Sequence, residues 1–176
     1  SYAIDSTTSR LYQRSVRSVR SMRQPVYDID LPMDFKKLYQ EAIDPEGYQP
    51  YKTHTLGTLW HDWRHKTVET GYACLVRDYL EDMIGTQLPA RFFWQKKGFT
   101  LKWHADTYTK CSFNFILTEG LDPIEYEQGV FHYKHALIDT SIRHQVNAVK
   151  EDRIMFRLQV DDLSYEEVIK RYEEAS

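Results

Sequence analysis

Only two cysteines, Cys74 and Cys111, occur in the 176 residues. Two thiols make neither a disulfide framework nor a thiolate metal site. Both lie in apolar stretches, Tyr72-Ala-Cys-Leu-Val and Cys111-Ser-Phe-Asn-Phe, where a free thiol packs as a small core side chain. The expectation is a reducing, cytoplasmic setting. No apolar run approaches the roughly 20 residues of a membrane-spanning helix, and no signal-peptide apolar segment follows the basic start. Glycine is scarce, at 7 residues, and none of it forms a phosphate-binding loop. Internal repeats are absent, which excludes solenoids and propellers. A formal net charge of -3 gives no overall attraction to nucleic acid or an anionic membrane, so neither is expected as a partner.

What remains is an ordinary globular composition, 41% hydrophobic and 28% charged, at a length that suits one domain. Residues 1–24 stand apart. Ser6-Thr-Thr-Ser-Arg10 and Arg14-Ser-Val-Arg-Ser-Val-Arg20 are rich in Ser and Arg and poor in large apolar residues, so this stretch reads as a basic arm outside the packed domain of residues 25–176.

Pro25-Val-Tyr-Asp-Ile-Asp-Leu-Pro32 alternates like a strand. Asp34 is placed to cap a helix through Tyr39 to Ile43, and a polar loop then runs to about Thr58. From Leu59 to Ile84 the residues Trp60, Trp63, Val68, Tyr72, Leu75, Val76, Tyr79, Leu80 and Met83 fall mostly three or four apart. That spacing predicts one long amphipathic helix, or two joined near Gly71. Beyond Pro89 the period becomes two: Arg91–Lys97, Thr100–Ala105, Cys111–Thr118, Val130–Lys134, Leu137–Asp139, Gln145–Val149 and Ile154–Val160 read as strands. Leu163 to Ala175 makes a closing helix, with Ser164 as its cap and Glu167 completing a capping box. Helices followed by closely spaced strands predict an α+β fold, with helices packed on one face of an antiparallel barrel or sandwich built mainly from residues 90–160.

His104-Ala-Asp106 carries the chemistry. Residues two apart on a strand point to the same face, so an imidazole and a carboxylate stand side by side. His144 follows on a second strand-like segment. Two imidazoles and one carboxylate occupy one triangular face of an octahedral ion and leave three positions open, the ligand set of non-haem Fe(II) oxygenases. Such a tripeptide alone is weak. What sharpens it is Arg153, which follows His144 and opens an apolar strand. A buried guanidinium there would grip a dicarboxylate by two parallel hydrogen bonds, and 2-oxoglutarate needs one such anchor. Arg157 shares the parity of Arg153 one pleat further on and is the rival anchor.

Lys97-Gly98-Phe-Thr-Leu-Lys-Trp-His104-Ala-Asp106, Ile138-Asp-Thr-Ser-Ile-Arg-His144-Gln-Val-Asn147 and Asp152-Arg153-Ile154 resemble the aspartyl/asparaginyl β-hydroxylase-like branch of the 2-oxoglutarate/Fe(II)-dependent oxygenases. The resemblance covers about residues 90–160. It implies a double-stranded β-helix (a jelly-roll, cupin-like antiparallel barrel), with Fe(II) on His104, Asp106 and His144. It also implies the distal carboxylate of 2-oxoglutarate on Arg153, and O2 as cosubstrate. Asn114 stands where relatives place a polar contact to 2-oxoglutarate, usually His. The implied activity is a dioxygenase that hydroxylates an amino acid or a peptide or protein side chain, so a small molecule or peptide is the expected partner.

Other readings accompany these. The same barrel can bind metal without turnover, as a cupin-like binding or assembly module. A surface salt bridge from Arg153 to Asp152 or Glu151 would be the plain alternative to an anchor. Arg91, at the mouth of a strand, is a candidate contact for an anionic group. His54, His61, His65, His132 and His135 lack a metal-protease pattern and are expected to be solvated or hydrogen-bonded. Trp94, Trp103 and Tyr108 are expected as core more than pocket lining. Residues 50–58 and 119–129 are the loops expected to rim the site.

Overall fold

A computed structural model of the chain describes residues 24–53, 56–120 and 122–176; residues 1–23 of the expected basic arm lie outside them. The strands are β1 (Val26–Asp28), β2 (Gln49–Lys52), β3 (Leu59–Thr67), β4 (Ala90–Gln95), β5 (Leu101–His104), β6 (Cys111–Ile116), β7 (Ile124–Tyr126), β8 (Gly129–Phe131), β9 (His135–Asp139), β10 (His144–Val146) and β11 (Arg153–Val160). Three helices accompany them: α1 (Phe35–Ile43), α2 (Tyr72–Ile84) and α3 (Tyr165–Ala175).

The strands form two antiparallel sheets. Seven of them follow the order β1-β9-β6-β11-β4-β3-β2, and four follow β5-β10-β7-β8. The fold is the expected α+β double-stranded β-helix, with the sheets stacked but not closed into a barrel. The alternation of β11 shows how the layers are filled. Ile154, Phe156 and Leu158 join the apolar core shared with the helices, among Leu38, Leu80 and Ile169. Met155 belongs to the second core, with Phe93, Ile116 and Ile138 of the large sheet and Tyr126 and Val146 of the small one. Successive side chains on a strand point to opposite faces, so Arg153 and Arg157 share the inner face of Met155.

The expected helix across Leu59 to Ile84 is corrected by this architecture. Residues Leu59–Thr67 are strand β3, paired with β4 from Trp63↔Gln95 to Thr67↔Arg91. The misleading spacing has a local cause. Against β2, Trp60 faces Tyr51 but Arg64 faces Pro50, so β3 carries extra residues at an irregularity. Trp60 and Trp63, three apart, therefore both pack on Phe99, as two residues on a helix face would. The helix begins only after Gly71, whose φ of 88° suits glycine and not a side-chain-bearing residue. Glu41, reaching from α1, accepts hydrogen bonds from the amides of Tyr72 and Ala73 at 2.5 and 3.1 Å and so caps α2.

The other helices are capped by the expected residues, although Glu167 accepts from Arg171 Nε at 3.0 Å and does not complete the capping box. Asp34 accepts from the Lys37 amide at 3.2 Å, and the Ser164 hydroxyl accepts from the Glu167 amide at 3.1 Å. The segments expected as rim loops are partly strand: residues 50–52 belong to β2, and residues 124–126 and 129 belong to β7 and β8. Cys111 is fully buried, its thiol pushed up to about 12 by burial; Cys74 packs half-buried at the helical core. No described helix is long and apolar enough to cross a membrane.

Candidate metal centre

Gly98, in a left-handed conformation with φ 84°, makes the turn that passes the chain from β4 in the large sheet to β5 in the small one. His104 ends β5 directly opposite His144, the first residue of β10. Opposed residues of an antiparallel pair bring their side chains together, and the two ring centroids lie 4.4 Å apart. Asp106 falls just beyond β5, where its amide donates to the Thr140 carbonyl at 2.9 Å. Its Oδ1 then sits 3.4 Å from His104 Nε2 and 3.9 Å from His144 Nε2. Ligand atoms of His104, Asp106 and His144 all lie within 4.8 Å of one another.

Both imidazoles are oriented in the same way. Nδ1 of His104 lies 2.7 Å from the Lys102 carbonyl, and Nδ1 of His144 lies 2.7 Å from the Ile142 carbonyl. A carbonyl can only accept, so each Nδ1 carries the proton and each Nε2 presents a lone pair. Two imidazole lone pairs and a carboxylate oxygen thus converge on one point, an arrangement that repels unless a cation or proton lies between them. Carbonyl-oriented histidines of this kind are what metal sites use to set the tautomer. The donor set fits a divalent ion.

Local electrostatics agree. Burial acts to raise the Asp106 pKa, but the neighbouring His104 and the charge of Arg157 hold it down at about 2. His104 is held down by burial and lifted by Asp106 and the Lys102 carbonyl, ending above its usual value. Burial dominates at His144 and lowers it. At neutral pH the carboxylate is charged, and the imidazole of His144 is available as a neutral ligand.

The inner face of the large sheet adds polar groups that periodicity cannot reveal. Arg153 is 3% exposed, and its only side-chain hydrogen bond among the described residues is from Nη2 to the Tyr133 hydroxyl at 3.2 Å. The alternative of a surface salt bridge is thereby overturned: Asp152 instead accepts from Trp94 Nε1 and the Lys97 amide and pairs with Lys96. Tyr133, missed by the sequence analysis, also accepts from Asn114 Nδ2 at 3.1 Å, and the Asn114 carbonyl oxygen accepts from Ser112 at 2.8 Å. Nε of Arg153, Nε of Arg157, Oε1 of Gln95 and Nδ1 of His65 are buried without a protein partner among the described residues. Such groups are costly unless a ligand or water meets them.

Arg157 Nη2 donates to Asp106 Oδ2 at 2.7 Å, reaching from the large sheet to the end of β5. Arg91 stands opposite Arg157 on β4, half-buried, and its charge adds to burial in lowering the His65 pKa. Among the described residues the remaining histidines form no metal cluster: His135 stacks on Phe35 at 4.0 Å, and His65 lies against Phe93. Trp94 packs at the helical core, whereas Tyr108, expected as core, is 71% exposed. Trp103 lies under the Arg143 guanidinium.

No family model and no curated protein matches this sequence. Solved structures do. A prolyl-4-hydroxylase from Pseudomonas putida superposes with a TM-score of 0.60 at 15% identity, over 86% of this chain and 100% of that one. An oxidoreductase of the 2OG-Fe(II) oxygenase family from Burkholderia pseudomallei gives 0.54 at 13% identity, over 90% and 92%. A cupin 2 conserved barrel domain protein from Rhodopseudomonas palustris gives 0.43 at 14%, over 66% and 72%. With the first two the chain shares its fold, the double-stranded β-helix on which His104, Asp106 and His144 converge.

Proposed function

We propose that this protein is a 2-oxoglutarate- and Fe(II)-dependent dioxygenase that hydroxylates an amino acid or a peptide or protein side chain. One observation carries the reading. A neutral-donor and carboxylate triad gathers at the end of β5 and the start of β10, and the facing sheet offers it a buried guanidinium with an unused donor. His104, Asp106 and His144 would hold the iron. The three coordination positions they leave suit a two-atom chelator and O2. Fe(II) and 2-oxoglutarate together supply the oxidising chemistry: one atom of O2 ends in succinate as CO2 is lost, the other as a hydroxyl on the substrate carbon.

The chain's own part is to hold and orient. Tyr133 accepts two hydrogen bonds, from Arg153 and Asn114, so its own O–H proton remains free to donate. The Arg153 fork, whose Nε–H is without a protein partner among the described residues, would meet the distal carboxylate, and the Tyr133 proton would add a further donor. Asn114 acts there through Tyr133. Its amide is already engaged at both ends, so it turns the phenol toward the anion. Arg91 lies one strand beyond Arg157 and would face an anionic group of the substrate.

Removing the hydroxyl tests this division of labour. Tyr133→Phe loses one donor to the carboxylate, worth about 1 kcal/mol, so the Kd for 2-oxoglutarate should rise by roughly fivefold with metal affinity unchanged. No change in Kd would remove Tyr133 from the anchor.

The reading as a whole is tested by titrating the anaerobic Fe(II)-loaded protein with 2-oxoglutarate. A visible charge-transfer band from the chelate is expected at one equivalent. Metal uptake without that band would instead make the protein a cupin-like metal-binding module.

A further inference from the structure

Asp106 offers two carboxylate oxygens, and the protein treats them differently. Oδ1 faces the Nε2 atoms of His104 and His144 at 3.4 and 3.9 Å. Oδ2 is taken by Arg157 at 2.7 Å. Arg157 is no loosely hung surface group: its side chain is 17% exposed and it springs from the middle of β11, between β4 and β6. Its guanidinium lies over the Phe93 ring, 5.6 Å from the centroid, and Phe93 in turn stacks on Trp63 at 4.9 Å. A planar cation seated on an aromatic ring has little freedom to move off its carboxylate.

We propose that Arg157 is a positioning residue that keeps Asp106 a one-oxygen ligand. Resting on the metal reading above, it goes beyond that reading by fixing how many positions on the ion stay open. A free carboxylate binds a divalent ion through one oxygen or both. Bound through both, with two imidazoles, it fills four of six positions and leaves two. Bound through Oδ1 alone it leaves three, enough for a chelating cosubstrate and one further small ligand together. The charge-assisted bond to Oδ2 disfavours the second mode, because it engages one lone pair of that oxygen and ties it to Arg157 while Oδ1 faces the imidazoles. Arg157 therefore serves a different role from Arg153, although both lie on one face of one strand. The first governs the ligand, the second the anion.

Mn(II) is a suitable probe, since its bound waters relax bulk water protons in proportion to their number. The parent protein should carry three waters on Mn(II), falling to one on addition of 2-oxoglutarate. In Arg157→Met the carboxylate is released to bind through both oxygens, and the relaxivity should fall by about a third, two waters in place of three. Arg157→Lys, whose ammonium can still reach Oδ2, should keep the parent value. A parent value matching two waters overturns the proposal without any variant being needed. So does an Arg157→Met protein that folds, binds Mn(II) and keeps three waters. A parent that takes up no Mn(II) is a separate result: it overturns the metal reading and this one with it.

Discussion

Replacing His144 by alanine should abolish stoichiometric binding of Mn(II) or Ni(II), and His104→Ala should do the same. Changing a residue that merely orients a ligand usually costs 10–100-fold in metal affinity, so losing a ligand outright should cost more than about two orders of magnitude. The fold should survive both changes. His104 ends a strand with its side chain 40% exposed, and its one protein hydrogen bond beyond the triad is to a local carbonyl. His144 is more buried, at 5% exposure, but the carbonyl it leaves belongs to Ile142, a residue 40% exposed and within reach of water. Metal content after equilibrium dialysis, read beside circular dichroism, separates loss of the site from loss of the fold. If both variants take up metal as the parent does, the ion binds elsewhere.

Arg153→Ala should weaken 2-oxoglutarate binding by about two orders of magnitude or more. A bidentate guanidinium–carboxylate contact contributes about 1.5–3 kcal/mol per bond, and 1.4 kcal/mol is a factor of ten. Its burial, at 3% exposure, keeps the contact from being screened by solvent. Metal binding should hardly change, because the described contacts of Arg153 are with Tyr133 and not with the triad. Arg153→Lys should recover only part of the loss, since an ammonium cannot meet two coplanar oxygens. Isothermal titration of the Mn(II)-loaded proteins reads these differences. A loss seen in Arg157→Ala and not in Arg153→Ala would move the anchor one pleat along β11. If neither variant is weakened, the oxygenase reading fails.

The same strand shows how much of the molecule local pattern conveys. Along β11 the period of two separates Ile154, Phe156 and Leu158 from Arg153, Met155 and Arg157, and the structure sends the two sets to opposite faces. His104 and Asp106 were legible as a pair because the two lie within one tripeptide, although Asp106 falls just beyond the end of β5 and not on the strand expected for it. The caps of α1 and α3 were legible because an N-cap is made within a few residues of chain. Strand β3 was not, since its irregular pairing with β2 breaks the alternation that marks a strand. Tyr133 could not be singled out either. Nothing local distinguishes it from 12 other tyrosines, and its partners Asn114 and Arg153 lie on different strands.

What the sequence determined by itself is the chemistry available: which side chains can ligate, which can hold an anion, and where period-two segments carry them. Those are properties of residue type and of backbone geometry over a few residues. The tertiary structure decided the allocation. Asp106 and Arg157 are 51 residues apart, and only the stacking of the two sheets brings that guanidinium to one oxygen and both imidazoles to the other. Register between β5 and β10 sets His104 against His144. Local pattern does not encode such a pairing, because it depends on how distant strands align once hydrophobic burial has chosen which faces meet.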